Sequence, residues 1–234
     1  MHAQQLKSLI QEESVPFHPI VAFDPATDHL LLMDFTSGNS TVWTEEIIQD
    51  EELFATTVMN LLQQNEAMYG IGGYDELRTV YARSEVFSGL EPRRLHLGID
   101  IWGAVGTEIF APMDAIVHSV AFNDHYGDYG ATIILQHSIK GQIFYTLYGH
   151  LALNDIADLQ EGTVIRGGQS FAHFGNIQEN GHWPPHLHFQ VVIDMEGKQG
   201  DYPGVCALSE RNKYLSNCPD PDIILNMMQY AVKK

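Results

Sequence analysis

Pro184-Pro185-His186-Leu187-His188-Phe189 is the stretch on which the reading of this chain turns. In an extended strand the side chains alternate between faces, so His186 and His188 share one face. Leu187, Phe189 and Val191 then take the other face, toward a core. At roughly 3.3 Å of rise per residue the two histidines stand about 6–7 Å apart, room for one metal ligand beside one catalytic group. Two half-exposed histidines on a sheet edge give the same pattern, so its meaning depends on what else the chain offers.

Two further groups answer it. His96-Leu97-Gly98-Ile99-Asp100 sets an imidazole and a carboxylate four residues apart. On a regular strand they would share a face about 13 Å apart, too far for one ion. Gly98 between them permits a bend or bulge that closes the gap. Tyr148-Gly149-His150-Leu151 closes an apolar run with another histidine. Two histidines and one carboxylate, with a coordination position left for water, form a hydrolytic zinc arrangement. His96, Asp100 and one of His186 and His188 supply that set. The other histidine and His150 are left for proton handling or oxyanion stabilisation.

The order and surroundings of these motifs resemble the lysostaphin-type, LytM-like zinc metallopeptidases of the duplicated-hybrid-motif fold. The resemblance runs from about residue 93 to 194. It rests on Arg94-Leu95-His96-Leu97-Gly98-Ile99-Asp100-Ile101, Gly106-Thr107 with Ala111-Pro112, Tyr148-Gly149-His150-Leu151, and Pro185-His186-Leu187-His188-Phe189. It implies that Zn2+ is held by His96, Asp100 and His188, with His150 and His186 as the catalytic histidines. It also implies a zinc metalloendopeptidase that cuts peptide bonds in the cross-bridges or stem peptides of bacterial peptidoglycan. Gln190 stands where the family often has Glu, and Gln178 to Pro184 replace a usually shorter loop. The stretches Tyr74-Asp75-Glu76-Leu77-Arg78, Asp201-Tyr202-Pro203-Gly204-Val205 and Cys218-Pro219-Asp220-Pro221-Asp222 are similar to an intracellular subgroup. In that subgroup the peptidase-like segment sits between kinase-like and class III aminotransferase domains.

The chain around these motifs reads as mainly β. Short apolar runs separated by Gly, Asn and Asp follow one another from Glu108 to Ile193. They predict an antiparallel β-sandwich or barrel-like domain over residues 85–196. Residues 1–84 read as a small α/β accessory region. It has a helix over 4–13, strands at Ile20 to Phe23 and Leu30 to Met33, and a long helix from Glu45 to Met68 capped by Thr44 or Asp50. Tyr74, Glu76 and Arg78 fit a surface turn as well as a site. Residues 197–234 read as an extension packing back on the domain, ending in a short helix at Ile223 to Met228. If the first region lies across the groove, truncation before about Arg83 would raise activity.

The composition narrows the function classes. With 30 acidic against 12 basic residues the net charge is −18, which argues against nucleic acid or an anionic membrane as partner. Expected partners are a peptide or a peptidoglycan fragment. No signal peptide or long apolar span is read, and the initial Met1 favours a cytoplasmic setting; a removed leader would make it periplasmic or secreted. Cys206 and Cys218 then read as reduced thiols. His118 and His137 read as packing residues, and His125, His173 and His182 as structural or solvated. Tyr126, Tyr129 and Trp183 read as packing aromatics that would otherwise line a peptide cleft. Two rival functions stay open: a cytoplasmic zinc hydrolase of small peptides or amides, and a non-catalytic binding or regulatory module.

Overall fold

A computed structural model describes residues 2–233; Met1 lies outside them. Helix α1 (Ala3–Glu12) opens the chain, followed by strand β1 (Leu30–Leu32), helices α2 (Glu45–Gln49) and α3 (Glu51–Gln64), and β2 (Tyr69–Gly72). Then come β3 (Arg93–His96), β4 (Ile99–Trp102), β5 (Glu108–Phe110), β6 (Ala115–Asn123), β7 (Gly130–Ile139) and β8 (Gln142–Leu151). Helix α4 (Asn154–Ala157), β9 (Val164–Ile165), β10 (Ser170–His173) and β11 (His186–Val192) follow. The chain ends with β12 (Val205–Ala207), α5 (Arg211–Asn217), α6 (Asp222–Leu225) and β13 (Ala231–Val232).

The fold is mainly β, as the succession of short apolar runs predicts. Nine strands form one sheet in the order β13-β1-β2-β4-β11-β8-β7-β6-β9, and β10 with β5 and β12 with β3 form two small sheets. Among the described residues of this sheet, every pairing from β2 to β9 is antiparallel, and only β1 pairs in parallel, with β2 and β13. The large sheet is therefore open and mixed. Residues 1–84 contribute β1 and β2 to it.

Both faces of this sheet are covered, which is why its strands read as nearly continuous apolar runs. On one face Ile99, Ile101, Ile133, Leu135, Tyr148, Leu187, Phe189 and Val191 pack with Leu6 and Ile10 of α1. Fully burying Phe189 there contributes ~2 kcal/mol. The other face carries two clusters. Phe35, Trp43, Phe54, Trp102 and Trp183 form an aromatic cluster, and Leu97, Tyr129, Ile134, Leu147, Tyr202 and Cys218 form the second. Both cysteines are free and buried.

Two local expectations change. The Glu45 to Met68 stretch is two helices, because Asp50 takes an extended backbone conformation and starts α3 by accepting from Leu53 N at 2.8 Å. Thr44 caps α2 in the same way, so each candidate cap serves its own helix. In α3 the buried Phe54, Val58 and Leu62 recur at four-residue spacing against the aromatic cluster. Ile20 to Phe23 is not a strand. Pro19 and Pro25 flank it and donate no ladder hydrogen bonds. Ile20 and Val21 are nonetheless buried, held by a bond from Phe110 N to the Ile20 carbonyl at 2.8 Å.

Candidate metal centre and catalytic histidines

Register brings the site together. On β11, His188 pairs with Asp100 of β4 and His186 with Trp102. Leu187, Phe189 and Val191 enter the core, as period-two alternation requires. His96 ends β3, which belongs to a different small sheet, and Asp100 sits in β4 of the large one. The break at Leu97-Gly98 lets residues four apart meet. Gly98 also has to be Gly for space, since a Cβ there would stand 2.6 Å from Cε1 of His188.

Three ligand atoms converge. Nε2 of His96 lies 3.0 Å from Nδ1 of His188 and 3.2 Å from Oδ1 of Asp100, and the last two are 3.0 Å apart. All three side chains are buried. A tetrahedral zinc with bonds near 2.0–2.1 Å spaces its ligand atoms by about 3.3 Å, so the triangle has the right size. The protonation pattern agrees. Nδ1–H of His96 donates to the Gly73 carbonyl at 3.0 Å, leaving a lone pair on Nε2. Nε2–H of His188 donates to Oε1 of Gln190 at 2.9 Å, leaving a lone pair on Nδ1. Burial and the nearby Arg78 charge push His96 down to about 3, so it is neutral near pH 7. Two lone pairs and a carboxylate oxygen thus face each other, a donor set that calls for a cation. This group is able to hold a metal, and its two imidazoles and one carboxylate suit Zn2+.

A second layer fixes these groups. Nη1 of Arg78 donates to Oδ2 of Asp100, and its Nε donates to Oε2 of Glu76 at 2.6 Å. Burial alone would raise the Asp100 carboxyl, but its contacts with His96, Arg78 and His188 hold it well below the usual range. Gln190, fully buried, also donates to the Pro203 carbonyl and to Sγ of Cys218. The Gln in place of Glu therefore still orients His188 while binding the C-terminal segment.

His150 and His186 stand beside this triangle. Their ring centroids are 4.1 Å apart, and Nε2 of His186 is 4.0 Å from Oδ1 of Asp100. Nδ1–H of His186 donates to the Pro184 carbonyl at 2.7 Å, and Nδ1–H of His150 donates to the Asn180 carbonyl at 2.7 Å. Each ring therefore offers a bare Nε2. Burial lowers His186 to about 4 and lowers His150 well below its usual range, the latter aided by His186 and His188. Two neutral imidazoles at pH 7 are proton acceptors. His150 has φ +65°, a left-handed conformation rare in β-rich segments and costly for a side chain other than Gly.

The structure brings His96, Asp100, His150, His186 and His188 onto one cavity wall region or directly behind it. Trp183 and Tyr129 line the cavity too, whereas Tyr126 packs on His182. His173 pairs with Asp155 and His182 with Glu51, outside the cluster. His118 bonds to Ser119, and His137 is buried against Thr146 and the Asp114 carbonyl. Arg78 was legible only as part of a polar turn, yet it is 2% exposed and grips Asp100. Tyr81, Arg83 and Trp102 carried no sequence signal, because nothing local marks an aromatic or arginine that packs on a site far along the chain.

Residues 94–201, the segment that carries all five side chains, match the model of Peptidase family M23. Two curated relatives are similar to this chain. The DD-carboxypeptidase/endopeptidase Mpg of Neisseria meningitidis serogroup B is 31% identical over 129 residues, covering 53% of this chain and 27% of that protein. An uncharacterized metalloprotease of Haemophilus influenzae is 31% identical over 101 residues, covering 43% of this chain and 19% of that protein. The chain thus spans about a quarter or less of the curated relatives it matches. Among solved structures, the catalytic domain of lysostaphin from Staphylococcus simulans aligns with TM-score 0.41 and 18% identity, over 69% of this chain and 98% of that one. A zinc-containing peptidase from Vibrio cholerae aligns with TM-score 0.33 and 25% identity, over 42% of this chain and 27% of that one.

Proposed function

We propose that this chain is a zinc-dependent peptidase that hydrolyses peptide bonds, with His96, Asp100 and His188 holding the metal. The observation that carries this reading is the triangle of two imidazole lone pairs and one carboxylate oxygen beside two neutral imidazoles whose Nε2 atoms are unbonded. When bound, Zn2+ acidifies water and polarises the scissile carbonyl. Either His150 or His186 would accept, through its bare Nε2, the one proton released on attack, and return it to the leaving amine. Once protonated, either ring stabilises the developing oxyanion. Gly73, Pro184 and Asn180 act through their carbonyls, which keep the Nδ1 protons in place so that only Nε2 faces the reaction.

The M23 match and the DD-carboxypeptidase/endopeptidase relative support peptidoglycan stem peptides or cross-bridges as substrate. The flanking motifs support membership of the subgroup fused to kinase-like and class III aminotransferase domains. A second reading, a hydrolase of small peptides, is favoured by the small cavity of about 170 Å³ and by catalytic histidines no more than 6% exposed.

The test is metal content and turnover on the same preparations. About one zinc per chain is expected, lost in His188→Ala. His150→Ala is expected to keep the metal and to lose turnover by about 10²–10⁴-fold. Full activity in His150→Ala would remove that residue from the mechanism, and a metal-free protein that ignores added zinc would leave a binding module. Assays on murein beside short peptides separate the two substrate readings.

A further inference from the structure

An aromatic wall borders His150 and His186. Trp102 stacks on His186, with ring centroids 5.6 Å apart and an interplanar angle of 14°. The Trp183 ring lies 6.3 Å from His150 and 6.4 Å from His186. Tyr81 stands 6.0 Å from Trp183, and Phe87 stands 4.8 Å from Tyr81. These four rings and Val86 line the same cavity as the two histidines. The wall is therefore continuous from the imidazoles to Phe87.

Core packing alone does not account for this wall. A close-packed interior leaves few voids larger than a water. Here the rings border a cavity of about 170 Å³, room for on the order of ten waters. Trp102, Trp183 and Tyr81 are buried, whereas Val86 and Phe87 are half-buried. Arg93 holds these last two: its guanidinium carbon is 5.7 Å from the Phe87 centroid, and its Nη2 donates to the Val86 carbonyl. A surface of this kind gains by covering apolar atoms, and aromatic side chains bring the most area. The charges agree. Of the charged residues that line the cavity, Arg78 and Asp100 are paired with each other. Arg93, Asp128 and Asp201 are the others, one cation against two carboxylates, which disfavours an acidic side chain. Tyr81, Val86 and Phe87 also precede residue 94, outside the segment that matches the M23 model. The two histidines and much of the wall thus come from different stretches of the chain.

We propose that this wall is a specificity subsite for a large apolar side chain, aromatic or branched, on the residue adjoining the scissile bond. This rests on the peptidase reading and names the substrate class: peptides with Phe or Leu beside the cleaved bond are preferred over those with Gly, Ala or Glu. The region before residue 94 supplies that selectivity through Tyr81, Val86 and Phe87. Phe87 is the specificity-determining residue to test, since it is half-buried and its ring meets Tyr81 and Arg93, not the metal triangle.

The test is calorimetric binding of N-acetyl-Gly-Xaa-Gly amides in which Xaa is Phe, Leu, Ala or Glu. It uses the zinc-loaded full chain carrying His150→Ala, so that the probes are not consumed. The Phe or Leu peptide is expected to bind about tenfold or more tighter than the Ala peptide, the scale set by a few carbons in an apolar pocket. The Glu peptide should bind no tighter than the Ala peptide. Adding Phe87→Ala should cut the preference several-fold, and Phe87→Leu should keep most of it. Circular dichroism checks that each variant folds, and Val86→Ala, a milder truncation of the same wall, keeps the question open to refutation if Phe87→Ala does not. Equal binding of the Phe, Leu and Ala peptides, no binding of any at millimolar concentration, or a preference unchanged in both Phe87→Ala and Val86→Ala overturns the subsite. Metal content and cleavage of the same peptides, lengthened by Gly at both ends, are measured on the protein without substitutions. Zinc with the Ala peptide cleaved as fast as the Phe peptide removes the subsite and leaves the peptidase. Absence of metal removes the peptidase reading, and the Phe-to-Ala binding ratio of the metal-free chain still reports on the wall.

Discussion

Nδ1 of His188 faces Nε2 of His96 across 3.0 Å, and each of these nitrogens presents a lone pair because the other nitrogen of its ring is spent on a hydrogen bond. The carboxylate of Asp100 closes the triangle. Without a cation these three groups repel one another in a buried site. Metal binding is therefore expected to stabilise the folded chain. Adding Zn2+ at about 100 times its Kd should contribute ~2.7 kcal/mol and raise Tm, as thermal melts with and without a chelator would record. His96→Ala should abolish the shift. A Tm insensitive to zinc in the unsubstituted chain would count against the triangle as a metal site.

Arg78 holds Asp100 from behind while Glu76 holds Arg78. Removing the guanidinium frees the carboxylate to rotate away from the two imidazoles. Arg78→Met should weaken zinc affinity by about 10–100-fold, measured by competition with a chelating dye. Arg78→Lys should fall between, since an ammonium carries the charge but cannot reach both carboxylates with a planar fork. Unchanged affinity in Arg78→Met would show that packing alone orients Asp100.

Truncation before Arg83 is expected to cost stability and activity instead of raising activity. It would strip β2 from β4, where Gly72 pairs with Asp100 and Ile71 with Ile101. It would also remove Phe35, Phe54, Arg78 and Tyr81 from the cavity lining. The remaining fragment should be partly unfolded by circular dichroism and low in zinc. A folded, more active fragment would show instead that the N-terminal region occludes the site.

His137 gives a pH dependence away from the metal site. It is buried and neutral, bonded to Thr146 Oγ1 at 2.7 Å, and burial lowers it from 6.5 to about 4. Because its folded pKa is depressed, the unfolded chain binds more protons between these values. Its stabilising contribution is thus fully present above about pH 6.5 and is lost as the pH falls through about 4. Its full size is about 3 kcal/mol as an order of magnitude. Urea unfolding from pH 7 to 4 should show this loss, and His137→Gln should flatten the slope. An equal slope in that variant would assign the loss to other groups.

Much of the site was legible before the fold was known. Period-two alternation at His186-Leu187-His188-Phe189 sorts ligand face from core face with no tertiary information, and the structure follows it. Gly98 was readable as the place where His96 and Asp100 must be brought together, since a regular strand holds them apart. The two caps at Thr44 and Asp50 were readable because capping is local chemistry, though not that both act.

The sequence by itself determined the mainly β character, the five candidate side chains and the class of metal that two imidazoles and a carboxylate accept. All of these depend on residue type and on spacing within a few positions of the chain. Only the tertiary structure decided that Arg78 braces Asp100 across 22 residues, that Gln190 ties His188 to Cys218 across 28, and that Arg83 is buried beside Trp183 without an acid. These are relations between segments distant in the chain. Their energies come from burial and exclusion of water, and neither has a local signature in sequence.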